Sequence, residues 1–143
     1  MKTPLALWMT ILLRFAGTFN LLAGAAMISL YHEGYQLLGV PKPQLILPVQ
    51  VMGILVALFG VGYHLVAANP IENRNILWLG WWSKALSSAM ALWYVTPWHV
   101  GGGRLPWWFA LVVFFSDVIY LPPFYMILRH IQRVRRQAAD SGA

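Results

Sequence analysis

Four long apolar runs follow one another along the chain and are separated by short polar segments. They cover residues 5–30, 45–68, 76–95 and 106–128. Each run is near or above the ~20 residues that an α-helix needs to cross a hydrocarbon core of about 30 Å. The pattern predicts an all-α integral membrane protein, with four spanning helices that form an up-and-down bundle and a single domain.

The last run leads into a basic segment. Pro122 and Pro123 near its end lack a backbone N–H, so we expect the fourth helix to be kinked there. Beyond them, apolar residues alternate with arginines as far as Gln137, which is typical of a helix on a membrane surface. Residues 129–143 are therefore predicted to form a basic cytoplasmic extension.

The connections between the runs are polar or helix-breaking. Residues 31–44 contain two prolines and are too polar to stay in lipid, although residues 35–39 are expected to form a short interfacial helix. The three glycines at 101–103 predict a flexible turn. We expect the first run to be retained rather than cleaved as a signal peptide, because it is too long for one and Arg14 interrupts it.

Composition agrees with the apolar pattern. Of the 143 residues, 59% are hydrophobic and 10% are charged, which leaves too little polar surface for a water-soluble globule. The formal net charge is +6. Basic residues collect on the cytoplasmic side of membrane proteins. In a four-span arrangement that side receives Lys2, Arg74, Arg129, Arg133, Arg135 and Arg136, whereas Lys42 and Arg104 fall on the other.

This distribution of charge predicts a multi-pass protein of a bacterial inner membrane with both termini in the cytoplasm. It also accounts for the net positive charge through topology and contact with anionic lipids. Membrane lipids are therefore expected partners, and nucleic acid is not.

Several kinds of chemistry are excluded by the residues that are missing. The sequence has no cysteine, so it has no thiolate nucleophile, dithiol redox couple, disulfide or cysteine-ligated metal. It also lacks a glycine-rich phosphate loop, a Gly-x-Ser-x-Gly elbow and a His-Glu-x-x-His pair. We therefore predict no catalytic residue and no metal site, and an enzyme is not the favoured interpretation.

Three charged residues lie inside the apolar runs: Arg14, Lys84 and Asp117. A charge at the bilayer centre costs roughly 2.5 to 3.5 kcal/mol on insertion scales. Such a charge is therefore usually part of an ion pair or of a functional site. At about 1.5 Å per residue, all three are expected at a similar depth, roughly 12 to 17 Å from the cytoplasmic boundary. Neutral hydrogen-bonding residues accompany them in this predicted polar layer: Asn20, Ser87, Ser88 and Tyr120.

The polar layer has two interpretations. In the structural one, Asp117 pairs with a cation to tie two helices together, and the other cation reaches toward the cytoplasmic interface. In the functional one, two cations and one anion leave one positive charge, so the layer lines a cavity that accepts an acidic head or a quinone-like oxygen. A fatty acid or an anionic lipid would supply such a head.

Small residues indicate which helix faces pack together. Gly53 and Gly60 share one face of the second run, and Gly17 and Gly24 share one face of the first. His64 follows on the same face of the second run. It is the candidate ligand for a haem or chlorophyll, with His130 as a second ligand. The favoured prediction is that the protein binds no cofactor.

The order of these motifs resembles small four-span bacterial membrane proteins of the DoxX-like kind. The resemblance rests on Arg14-x5-Asn20-Leu-Leu-x-Gly24, Gly60-Val-Gly62-Tyr63, Lys84, Leu105-Pro106-Trp107 and Asp117 with Pro123-Phe124. DoxX-like proteins are linked with redox partners or quinone-associated complexes. The resemblance therefore implies an accessory membrane subunit, and it supplies no catalytic residues.

The favoured function is a non-catalytic accessory subunit or a bundle that binds a hydrophobic or anionic ligand, with other membrane subunits or a second copy as partners. The first alternative is a small membrane enzyme or carrier that uses Asp117 with Lys84 or Arg14 as a proton-transfer or anion site. The second is a haem- or chlorophyll-associated subunit of a redox or photosynthetic complex.

Overall fold

The computed structural model describes residues 5–98 and 104–141, except for the side chain of Ser141. Within these ranges the protein is entirely helical and contains no strand, so the predicted all-α class is confirmed. The α-helices are α1 (Leu7–Ser29), α2 (Tyr31–Leu38), α3 (Leu47–Ala68), α4 (Arg74–Val95), α5 (Phe109–Ser116) and α6 (Leu121–Ser141), with a 3₁₀ turn (Val118–Tyr120) between the last two.

Three helical stretches are long and apolar enough to cross a membrane: α1, α3 and the stretch Phe109–Asp140, which comprises α5, the 3₁₀ turn and most of α6. The chain is therefore a membrane protein. Helix α4 has 22 residues but is not among the three. Because serines and Lys84 lie along it, its mean hydropathy is lower, and a fourth span and a four-helix bundle stay predictions.

Helices α1 and α3 pack closely through glycines, as the spacing of the small residues predicts. A Cβ atom added to Gly60 would lie 2.6 Å from the carbonyl oxygen of Gly17, and one added to Gly53 would lie 2.8 Å from that of Gly24. Backbones approach this closely in membranes where small residues replace larger side chains. The α1–α3 pair is the most extensive contact between helices in the described residues.

Tyr63 on α3 joins α4 and α6 to this pair. Its hydroxyl group lies against Gly80 of α4, where an added Cβ atom would come within 2.6 Å of the oxygen. Its ring meets the ring of Phe124 on α6 edge-on, at 5.0 Å between centroids. The surrounding core is apolar and includes Leu13, Leu77 and Ile127, each with no exposed surface.

The helical hydrogen-bond pattern is interrupted before the two prolines. Helix α5 ends at Ser116, and α6 begins at Leu121 with Pro122 and Pro123 in its first turn. Proline is tolerated in a first turn, where its missing N–H would have no intrahelical partner, and its ring disfavours continuing the helix upstream. A change of helix direction at this point stays a prediction.

The shorter predicted features have mixed outcomes. A short helix does form in the 31–44 segment, but it starts earlier than expected, at Tyr31. It ends at Leu38 and is capped by Gly39, whose φ of 66° favours glycine. Residues 129–141 continue α6 as a helix. The predicted turn at residues 101–103 lies outside the described residues.

Candidate functional site

A cavity of about 370 Å³ lies between α1, α3, α4 and the end of α5. Most of its wall is apolar, with Phe19, Met52 and Phe59 among the lining residues. Polar groups from all four helices also reach it. They are Asn20, Tyr63, Ser83, Lys84, Ser87, Ser116 and Asp117.

An ion pair lies in the wall of this cavity. The Nζ of Lys84 lies 2.6 Å from Oδ1 of Asp117, and the two side chains are 6% and 27% exposed. Two opposite charges that are both largely removed from water stabilise each other only in good geometry with further hydrogen bonds. The pair links the middle of α4 to the end of α5.

The interruption of the helix supplies one of those further hydrogen bonds. In a continuous α-helix the carbonyl oxygen of Ser116 would accept from the N–H of Tyr120. That N–H instead donates to the carbonyl oxygen of Asp117, at 3.1 Å. The Ser116 oxygen is thereby left for Lys84, whose Nζ donates to it at 3.0 Å.

Neighbouring groups satisfy the rest of the ion pair. The hydroxyl of Ser116 donates to Oδ2 of Asp117 at 3.1 Å. The ammonium of Lys84 lies 5.2 Å from the centre of the Tyr120 ring, a cation–π arrangement. An ammonium group has three N–H donors and Lys84 uses two of them in these hydrogen bonds, so one donor remains.

Three other polar side chains in the wall form no hydrogen bond to the described residues, those of Asn20, Tyr63 and Ser83, and the first two are buried. Asn20 is only 7% exposed, and its side-chain amide has no partner there. The hydroxyl of Tyr63, which is 1% exposed, has none either. Both of these buried residues line the cavity, so their polar side-chain atoms are placed to form hydrogen bonds with a ligand or with water inside it.

The predicted polar layer is brought together only in part. Asn20, Lys84, Ser87 and Asp117 all line the cavity, and Tyr120 covers the ammonium group. Ser88 is buried one position further along α4, where its hydroxyl has no partner among the described residues.

Arg14 lies elsewhere. Its side chain is exposed on the outer surface of α1 and does not line the cavity. The cavity therefore contains one cation and one anion, and the surplus positive charge expected from three residues at one depth is not inside it. The reason is the direction of the side chain around the helix, which depth alone does not fix.

Sequence reasoning missed three polar residues of the wall: Tyr63, Ser83 and Ser116. Ser83 and Ser116 directly precede Lys84 and Asp117 in the sequence. Tyr63 lies three residues after Gly60 and so shares its packing face, which is the signal that would have placed it inside.

The two candidate cofactor ligands are not brought to one cavity. His64 packs over Gly17, and its Nε2 lies 3.4 Å from the hydroxyl oxygen of Thr18. His130 lines a separate cleft with Met9 and Arg133. Haem or chlorophyll binding stays a prediction. In the described part of the chain no group of three or more His, Cys, Asp or Glu residues is arranged to hold a metal ion.

No protein-family model matches the chain, and neither a curated protein nor a solved structure matches it. The resemblance to DoxX-like proteins therefore stays a prediction, and the function is argued from the cavity.

Proposed function

We propose that this membrane protein binds one amphiphilic molecule, with a neutral hydrogen-bonding head and an apolar body, in the cavity between its helices. The observation that carries the proposal is the unpaired amide of Asn20, which lines a largely apolar cavity beside a neutralised ion pair. Ligand sites commonly combine apolar walls with a few placed polar groups of this kind.

The charge of the cavity favours a neutral head. Lys84 and Asp117 neutralise each other at 2.6 Å, so a carboxylate or phosphate ligand would meet no free cation and would lie near an existing anion. A carbonyl or hydroxyl oxygen would instead accept from Asn20 or from the remaining N–H of Lys84. A quinone-like oxygen fits this chemistry better than a fatty acid does.

The volume and position suit part of a lipid-soluble molecule. A cavity of about 370 Å³ lies at the lower end of the usual range for small-molecule sites, ~300–1,000 Å³. Lys84 lies about ten residues from each end of α4, or roughly 15 Å at the rise of a helix. If α4 spans the bilayer, the head binds near the membrane centre and the apolar body extends between helices into lipid.

The proposal includes four spans with both termini in the cytoplasm of a bacterial cell. Lys84 joins α4 to the stretch Phe109–Asp140, which favours α4 lying within the bundle rather than on the membrane surface. A carboxyl-terminal phosphatase fusion should be inactive and a fluorescent-protein fusion active, because phosphatase folds only outside the cytoplasm. The opposite pair of results would contradict a cytoplasmic carboxyl terminus.

The ligand itself is the direct test. We expect the protein, purified in a mild detergent, to release one neutral amphiphile in about stoichiometric amount when extracts are examined by mass spectrometry. Asn20→Leu, which keeps the approximate size but removes the amide, should lower its retention severalfold. Thr18→Val is the matched control, since Thr18 is an exposed polar residue of the same helix.

Three results would count against this function: no co-purifying molecule, an anionic ligand, or equal retention by the Asn20 variant and the control. A coloured preparation would favour the cofactor alternative instead. A second chain present in stoichiometric amount would support the accessory-subunit role.

A second candidate function is a proton-coupled enzyme or carrier. Its supporting observation is that the side chain of Asp117 is 27% exposed and lines the cavity, so a ligand can reach the carboxylate. In that case ligand binding would take up or release protons in weakly buffered detergent solution. Asp117→Asn combined with Lys84→Met would abolish the proton signal, whereas passive binding would show none in the wild type.

A further inference from the structure

A second cleft, about 320 Å³ in volume, lies between the start of α4 and the carboxyl-terminal part of α6. Arg74 of α4 and Arg135 and Arg136 of α6 line it, together with Gln132 and Ala139. No carboxylate lines this cleft. We propose that it binds a phosphoryl group through the three guanidinium groups.

Three basic side chains line the same cleft, and this is the first argument for the proposal. Guanidinium groups repel one another at short range unless an anion lies between them, and their planar N–H forks match the oxygens of a phosphate. In the described residues, Lys84 and Asp117 form the one ion pair, so none of these arginines is neutralised by a carboxylate. Arg74 donates only a long hydrogen bond, 3.4 Å, to the side-chain oxygen of Asn75.

The start of α4 adds to the positive potential. Arg74 is the first residue of this 22-residue helix, and its first turn contains no acidic residue. The N-cap residue Asn73 does not cap the helix with its side chain. Its amide nitrogen donates instead to the carbonyl oxygens of Leu65 and Asn69, at 3.2 and 3.1 Å. The positive end of the helix dipole is therefore left for an external anion.

The position of the cleft fits a phospholipid headgroup. Arg74 lies about ten residues, or roughly 15 Å, from Lys84 along α4. This is half the ~30 Å thickness of the hydrocarbon core, so the cleft lies at headgroup level when Lys84 is near the membrane centre. A soluble phosphate would present the same chemistry, and the experiment must separate the two sources.

The same helix offers a matched control. Arg129 and Arg133 line another cleft, between α1 and α6, with Met9 and Met126. Arg135→Gln with Arg136→Gln, and Arg129→Gln with Arg133→Gln, remove the same number of charges from the same helix. A general attraction to anionic surfaces would fall equally in both double variants, whereas a site would be lost in only the first.

The test is a titration of the full-length protein in neutral detergent, followed by native mass spectrometry. The probes are phosphatidylglycerol, phosphatidylcholine and inorganic phosphate. We expect phosphatidylglycerol to bind the wild type and the Arg129/Arg133 variant similarly, and the Arg135/Arg136 variant about tenfold more weakly. Arg74→Gln should weaken binding as well, which provides a second variant if the double variant does not fold.

Competition between inorganic phosphate and phosphatidylglycerol identifies the source of the phosphoryl group. If inorganic phosphate does not displace phosphatidylglycerol, the site takes a lipid headgroup. If it binds with the same dependence on Arg74, Arg135 and Arg136, the site takes soluble phosphate. Equal weakening by both double variants, or failure of the wild type to bind any of the three probes, would overturn the proposal.

Discussion

Two halves of the described helical structure are held together by different means. Helices α1 and α3 meet through glycines, with carbonyl oxygens close to the opposing backbone. Helix α4 meets the α5–α6 stretch through polar contacts, the Lys84–Asp117 ion pair and the hydrogen bond from Trp81 to the Leu121 carbonyl oxygen. Close packing leaves no space between helices, whereas long polar side chains leave a cavity beside them. The comparison explains why the cavity lies between the α1–α3 pair and α4 rather than between α1 and α3.

The largest expected effect is on the polar half. Asp117→Asn should leave the ammonium of Lys84 buried without a counter-ion and lower the free energy of unfolding by about 3 kcal/mol. The measurement is unfolding in mixed micelles by titration with a denaturing detergent. Asp140→Asn is the control, because Asp140 is exposed near the end of α6 and should change stability by less than about 0.5 kcal/mol.

A second variant distinguishes a lost partner from a damaged helix. Adding Lys84→Met to Asp117→Asn should recover part of the lost stability, since no buried charge then remains. If the double variant is no more stable than Asp117→Asn alone, the carboxylate stabilises the interruption of the helix and not the ammonium of Lys84. A stable double variant that no longer carries the co-purifying molecule would identify the ion pair as part of the binding site.

The glycine-packed half should respond to size rather than charge. Gly60→Ala places a methyl group 2.6 Å from the Gly17 carbonyl oxygen, so the helices must separate, at a cost of about 1 to 3 kcal/mol. Gly34→Ala is the control, because an added Cβ at Gly34 meets no atom within 4 Å. Equal stability of the two variants in the same unfolding assay would contradict the close packing of α1 and α3.

The smallest expected effect concerns one hydrogen bond of the polar half. Trp81→Phe removes the indole N–H that donates to the Leu121 carbonyl oxygen at 2.9 Å, and should cost about 1 kcal/mol. Trp82→Phe changes a neighbouring indole that is 45% exposed and should cost less. If Trp82→Phe proves the more damaging change, the tryptophan cluster matters for its ring packing and not for this hydrogen bond.

The sequence predicts the structure best at positions where the residue type has a single common structural role in membrane proteins. Apolar runs predict helices in lipid, and glycines seven residues apart predict the α1–α3 contact. Buried charges of opposite sign predict partners, and Lys84 does pair with Asp117.

The azimuth of a side chain around its helix is harder to predict than its depth. Leu13, Gly17 and Asn20 are buried on one face of α1, and Arg14 is turned about 100° from Leu13, onto the exposed surface. The prolines predict a break in the helix, and the helical hydrogen-bond pattern is interrupted just before Pro122, because the pyrrolidine ring acts on the preceding turn.

The separation of the ion pair along the chain has a consequence for synthesis. All contacts of the α1–α3 pair are available once residue 68 has been made. Lys84, in contrast, must wait for a partner 33 residues later. At about 5 to 20 residues per second, the ribosome needs roughly 2 to 7 s to deliver Asp117. If α4 spans the membrane, its lysine must stay in the insertion machinery or in contact with water during that interval, so α4 settles no earlier than the stretch that carries Asp117.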